Sequence, residues 1–227
     1  MGILTVSSPR EENTRPYHHG DLRTALLQAT GEVIREKGVA SVSLREVARR
    51  VGVSHAAPAH HFSSKAILVA AFAAQGYARL ADSIGAELDK HPPEQPRRRL
   101  QAVGEGYIRF ALANPEHFSI MFRSDMLDVD EPSFQQAGDE AFNLLAGVVG
   151  ECAAAGLIPR SDVGTVGVAA WSLVHGFATL WIGGRLGYRM QDTEPDALGS
   201  TLAGMFADRM LAKEKRKAPA RLTRQRK

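Results

Sequence analysis

The stretch VSHAAPAHHF, residues 53–62, sets His55, His60 and His61 among small residues. An imidazole ligates metals, moves protons or hydrogen-bonds to a nucleic acid. Helical zinc pairs stand at i, i+4 with a carboxylate nearby, whereas these three stand at i, i+5 and i+6. No acid lies between Glu46 and Asp82, so no metal is expected. Cys152 is the single cysteine, which excludes an intramolecular disulfide and a cysteine-built zinc site and fits a reducing cytoplasm. For acid–base catalysis the candidate pair is Glu105 with His175. No nucleophile elbow and no glycine-rich phosphate loop accompanies them, so neither a catalytic residue nor a cofactor is expected. A nucleic-acid surface is the remaining chemistry.

The flanking residues say how such a surface would be held. Leu22, Leu26, Ala29 and Val33 recur at helical spacing over residues 21–37, and Gly38 follows where a helix stops. Ser43-Leu-Arg-Glu46 is a capping box in which the hydroxyl accepts from the backbone and Glu46 reaches back. Leu44, Val47, Ala48 and Val51 form an apolar stripe, and Gly52 ends that short helix. Ser54 is positioned to cap a helix over residues 54–61, and Ser63 or Ser64 caps another from Lys65 to about Leu88. Two short helices joined by a glycine turn behind a longer one make a helix-turn-helix.

In that motif the second helix enters the DNA major groove. Ala56, Ala57 and Ala59 would let its backbone come close, and an alanine methyl packs on a thymine methyl. His55 and His60 would donate to guanine or phosphate, Pro58 would stiffen the first turn, and His61 would pack on Phe62. Phosphate contacts are expected from Ser43, Arg45, Ser54, Ser64 and Lys65, with two of these at helix N-termini. Arg49 and Arg50 face either phosphate or solvent. Arg10 and Arg15, with Tyr17 and His18, would sit on a flexible arm able to reach the minor groove.

Residues 17–75 resemble the N-terminal domain of TetR-type transcriptional regulators. SLREVARRVGVS and then HHFSSKAILVAAF carry the resemblance, in order and at the family's spacing. The family commonly has a phosphate-contacting tyrosine where this chain has Ala59. Further on, NPEHFSIMF and WSLVHGFATLW resemble the subgroup named for its Trp-His-Gly signature, here Trp171, His175 and Gly176. The resemblance implies a C-terminal domain that binds a small molecule among its helices and dimerises through the last two.

The remaining chain is read as helical throughout. KHPPEQPRRR interrupts the pattern; helices are expected after it, then from Pro115 with Asn114 as cap, over 133–155, 162–185 and 195–213. No alternating strand pattern occurs. The uncharged run Val163–Gly184 is long enough for a membrane span, but its glycines and polar residues favour a helix buried on most sides in the protein core. One of its faces is available to a second copy, with Gly164, Gly167, Gly176 and Gly183 permitting close approach. Leu198, Leu202, Met205, Phe206 and Met210 would complete that interface. Tyr107, Phe110, Phe118, Met121, Phe122, Phe142, Trp171 and His175, with Phe177, either line a ligand cavity or are plain core.

Charge agrees with this division. Residues 1–65 hold nine Lys/Arg against six Asp/Glu, residues 66–212 eleven against eighteen, and residues 213–227 eight against one. A basic first third and a basic tail flank an acidic body, so the ends are the parts that would meet a polyanion. With 227 residues, 44% apolar, the chain is long enough for a sizeable core. The expectation is therefore an all-α protein of about nine helices. A flexible arm (1–16) precedes a helix-turn-helix domain (17–75), a ligand-binding and dimerisation domain (76–212) and a basic disordered tail (213–227). Its partners would be a double-stranded operator, a small-molecule effector and a second copy, with no membrane. A nonspecific nucleic-acid-binding or membrane-surface protein acting through the tail is the alternative.

Overall fold

The computed structural model describes residues 19–211, in eight α-helices and three short 3-10 helices, with no strand among the described residues. The all-helical expectation holds. Arg10, Arg15, Tyr17 and His18, and the tail 213–227, lie outside the described residues. The chain divides into two compact units, one ending at Leu68 and the next starting at Val69.

The first unit holds α1 (His19–Lys37), a 3-10 turn (Val39–Ser41), α2 (Leu44–Val51) and a second 3-10 turn (Ala57–His60). Leu26, Val33, Val47, Ala48 and Phe62 form its buried core, with the Arg23 guanidinium 5.4 Å from the Phe62 ring centre. Truncating a ring as buried as Phe62 costs about 3–5 kcal/mol. The Ser43 cap forms as expected, the Glu46 N–H donating to Ser43 Oγ at 3.1 Å. Glu46 itself does not complete the box. Its carboxylate accepts from Lys37 (2.8 Å) and Arg49 (2.8 Å) instead, because two cations attract an anion more strongly than a neutral amide does. Gly52, at φ +79°, closes α2 in the left-handed region that glycine enters without strain.

The helix expected over 54–61 is not an α-helix. The chain runs through turns into a 3-10 helix at Ala57–His60, with Ala57 N donating to Ser54 O (3.0 Å) and Ala59 N to Ala56 O (3.1 Å). Pro58 has no N–H for the i→i−4 bond to Ser54, and the segment between Gly52 and the next cap is too short to recover it. Ser54 therefore contributes its carbonyl, and its hydroxyl makes no cap.

Helix α3 (Lys65–Leu88) begins as expected, Ser64 Oγ accepting from Ile67 N at 3.2 Å, and the boundary between the units falls inside it. The second unit continues with α4 (Pro96–Ala113), α5 (Pro115–Met121), α6 (Pro132–Ala154), a 3-10 turn (Arg160–Asp162), α7 (Val163–Ile182) and α8 (Pro195–Met210). Its central element is α4, which packs against α5, α6, α7 and α8 and is buried around most of its circumference from Leu100 to Ala111. Gly106 permits the crossing with α3, since a Cβ there would sit 2.6 Å from Ile84 Cα. Asn114 occupies the cap position before α5, but its side chain donates to Phe110 O (3.0 Å) and accepts from Arg79 (3.0 Å).

The apolar helix α7 corrects an expectation. Only 28% of its most apolar window is buried, with Val168 and Leu180 open to solvent. One face, Val166, Ala170, Val174 and Phe177, packs inside the unit. Its hydrophobicity thus serves one internal face and leaves a second uncovered in the single chain. A Cβ at Gly164, Gly167 or Gly176 would meet no neighbouring atom within 4 Å among the described residues.

Candidate nucleic-acid interface and ligand cavity

Between the end of α2 and the start of α3, Ser54, His55, Ala56, Ala59 and His60 are all exposed. The buried Pro58 anchors this tip from beneath rather than merely stiffening it. His61 turns inward, its ring 6.4 Å from that of Phe62 and its Nε2 buried without a hydrogen-bond partner among the described residues, so it belongs to the head's packing. The result is a small projection with two imidazoles and two methyl groups outward, lying between the C-terminus of α2 and the N-terminus of α3. The first-turn N–H groups of a helix such as α3 favour an anion.

Cations around the tip fall into two groups. Arg45 is exposed and has no ion pair among the described residues. Lys65 is half-buried, with Nζ 3.5 Å from Ala40 O. Arg49 and Arg50 are committed to carboxylates: Arg49 pairs with Glu46 (2.8 Å), and Arg50 pairs with Glu36 and lies 3.4 Å from Glu32. Hydrogen bonds from Arg49 and then Lys37 hold the Glu46 carboxyl down at about 2. Ser43 and Ser64 already accept from the backbone as caps and retain their O–H donors.

In the second unit a cavity of about 200 Å³ is lined by Tyr77, Leu80 and Ile84 from α3, Leu100, Val103, Gly104 and Tyr107 from α4, and residues of α6, α7 and α8. Of the eight candidates read from sequence, Tyr107, Phe122, Phe142 and Trp171 are on its wall. Phe110, Phe118 and Met121 are not: they are buried core behind it. Phe110, three residues past Tyr107, faces elsewhere on α4, and Met121 Sδ reaches toward Gly76 on α3. Phe177 packs on Trp181 instead (5.8 Å between ring centres). His175 also stands back from the wall, its Nδ1 2.8 Å from the Tyr107 hydroxyl.

Burial governs the electrostatics of the cavity's polar groups. Burial raises the Tyr107 hydroxyl well above its usual range, against an opposing hydrogen bond from Trp171. Burial likewise pushes Tyr77 up to about 12 and lowers His175. The Tyr77 hydroxyl donates to Met121 O (3.2 Å). At one end Phe122 meets His175 edge-on (4.6 Å) and Trp171 at 6.0 Å, with Phe118 5.7 Å away. Glu105, the candidate acid–base partner of His175, is bound by Gln101 and Ser200 instead. No group of three or more His, Cys, Asp or Glu able to hold a metal occurs among the described residues.

Tyr77, Leu80 and Ile84 went unread in the sequence although they recur at helical spacing. Gly104, Ala141, Ala170 and Ala203 carry no signal of residue type, because they shape the cavity by what they lack.

Residues 26–72 match a family model described as bacterial regulatory proteins, tetR family, and residues 100–206 match one described as tetracyclin repressor-like, C-terminal domain. The HTH-type transcriptional regulator BetI of Yersinia pestis (strain Pestoides F) is 31% identical over 84 residues, 37% of this chain and 42% of that one. BetI of Escherichia coli O127:H6 is 34% identical over 37% and 43% respectively. The chain thus matches about two-fifths of the length of these curated relatives. Among solved structures, a protein of unknown function from Rhodococcus sp. RHA1 is 31% identical, with a TM-score of 0.74 over 87% of this chain and 100% of that one. The TetR family transcriptional regulator PfmR of Thermus thermophilus, 20% identical, shares the fold, with a TM-score of 0.60 over 82% and 93%.

Proposed function

The chain belongs to the TetR family of bacterial regulatory proteins, DNA-binding helix-turn-helix regulators of transcription rather than enzymes, and from that premise we propose that it is a cytoplasmic homodimeric repressor released from its operator by a small molecule. The observation that carries this reading is the exposed tip at residues 54–60, seated on a buried proline between the end of α2 and the start of α3. His55 and His60 would read base edges, Ala56 would pack on thymine methyls, and Ser43, Arg45, Ser54, Ser64 and Lys65 would fix register on phosphates.

A dimer supplies two such tips to successive major-groove faces, about one helical turn (~34–36 Å) or somewhat more apart. The uncovered apolar face of α7, with Val168 and Leu180, and the exposed Met205 and Met210 of α8 support that assembly. Ligand bound in the cavity would shift the equilibrium between two head spacings through its differential affinity for them, with α3 as the coupling element. A domain division at 17–75 and 76–212 would set that helix across the boundary, and the Trp-His-Gly subgroup reading would put Trp171 and His175 beside the ligand.

The test is a footprint on DNA flanking the chain's own gene. A protected near-palindrome, bound by two copies, is the expected result; uniform protection without sequence preference would defeat it.

A further inference from the structure

The cavity's wall limits what its ligand is. None of the eighteen residues lining it is Lys, Arg, His, Asp or Glu. An ionised ligand would lose its hydration there without meeting a counter-charge, and burial disfavours the charged form of the nearby His175. The polar atoms on the wall are few and mostly engaged. Tyr77 donates to the Met121 carbonyl (3.2 Å), and the Tyr107 hydroxyl is paired with His175 Nδ1 (2.8 Å). With Trp171 also hydrogen-bonded to Tyr107, one remaining lone pair on the Tyr107 oxygen leaves capacity for about one further hydrogen bond.

Size narrows the class further. A cavity lined by Leu, Ile and Phe of roughly 150 Å³ takes up benzene, whereas drug-sized ligands occupy about 300 Å³ or more. At about 200 Å³ this cavity admits one ring and a short substituent. Its aromatic end, where Phe122, Trp171 and His175 already meet at tilted and edge-on angles, has the geometry in which another ring is favourable. Phe142 and Trp171 line the cavity while remaining partly exposed, at 52% and 36%, and so mark its mouth.

We infer that the cavity takes an uncharged, predominantly apolar molecule the size of one substituted aromatic ring, with at most one hydrogen-bonding substituent. This rests on the reading of the chain as ligand-responsive and specifies the chemistry of that response.

The sequence has two tryptophans, so Trp181→Phe leaves Trp171 as the sole indole reporter. The probes are 4-ethylphenol and ethylbenzene against 4-ethylbenzoate and decanoate, ranked by fluorescence and by calorimetry on the unmodified chain. The neutral rings should quench Trp171 saturably and bind at least about 100-fold tighter than either carboxylate. Ala141→Leu, or Ala170→Leu should the first destabilise the fold, should abolish that binding by filling the cavity. Equal or tighter binding of a carboxylate, or no saturable binding of either neutral ring, overturns the inference. Operator DNA separates the two claims. Neutral-ring binding without DNA release upholds the ligand class and defeats ligand-responsiveness, whereas release by a carboxylate alone does the reverse.

Discussion

The Tyr77 hydroxyl on α3 donates to the Met121 carbonyl at the end of α5, 3.2 Å away, and the ring of the same tyrosine forms part of the cavity wall. The group that ties these two helices together is therefore one that a ligand would touch. Tyr77→Phe keeps the wall and removes the tie. It should cost about 1 kcal/mol of stability in urea denaturation. Ligand affinity should change little, while the ligand concentration needed to release DNA should rise. An unchanged release midpoint would remove Tyr77 from the coupling.

His117 gives a pH signature. Its ring stacks on Phe72 (4.0 Å between centres), it is buried, and its Nε2 has no hydrogen-bond partner among the described residues. Burial first, and the Arg79 charge second, hold it down at about 4, with Glu116 opposing. Because the folded pKa lies below the unfolded value of about 6.5, the unfolded chain binds more protons between the two. Stability is thus complete above about pH 6.5 and falls toward pH 4, by up to about 3 kcal/mol. Urea midpoints at pH 7.5 and 4.5 test this, and His117→Phe should flatten the difference.

How far the sequence could be read depended on whether a feature was made by residues or by gaps between them. Helix starts were legible because Ser43, Ser64 and Pro115 act locally through caps and a fixed φ. The tip at 54–60 was legible as an exposed feature, but not as a 3-10 turn, since the missing N–H of Pro58 competes with a helical pattern that side chains alone still display. Hydropathy misplaced the core. The most apolar segment, α7, has an open face, whereas α4, with three arginines in its first turns, is the buried centre because Gly104 and Gly106 let neighbours close in. Half of the cavity candidates proved to lie off the wall, because an aromatic residue does not reveal which side of it is empty.

The uncovered face of α7 makes a prediction about assembly. Leu180 is 47% and Met205 58% exposed, more than isolated apolar residues need to be. Leu180→Glu should convert a dimer to monomer in sedimentation equilibrium and weaken operator binding, with helical content retained. A monomeric parent chain would dispose of the proposed symmetry.

Arg45 and Arg49 should behave differently toward DNA although both sit on α2. Arg45 has no ion pair among the described residues, whereas Arg49 is held by Glu46. Arg45→Ala should weaken binding to all sequences and reduce the slope of log affinity against log salt by about 1. Arg49→Ala should leave that slope unchanged. A slope reduced in the second variant would place the phosphate contact on Arg49.

The central claim is that residues 54–60 read DNA sequence, and fluorescence anisotropy with the footprinted operator and a scrambled duplex tests it most directly. His55→Ala with His60→Ala should weaken operator binding by about 1–3 kcal/mol for each base hydrogen bond removed, while binding to the scrambled duplex stays nearly constant. Operator affinity unaltered by the double substitution, in a protein that still folds, would contradict it.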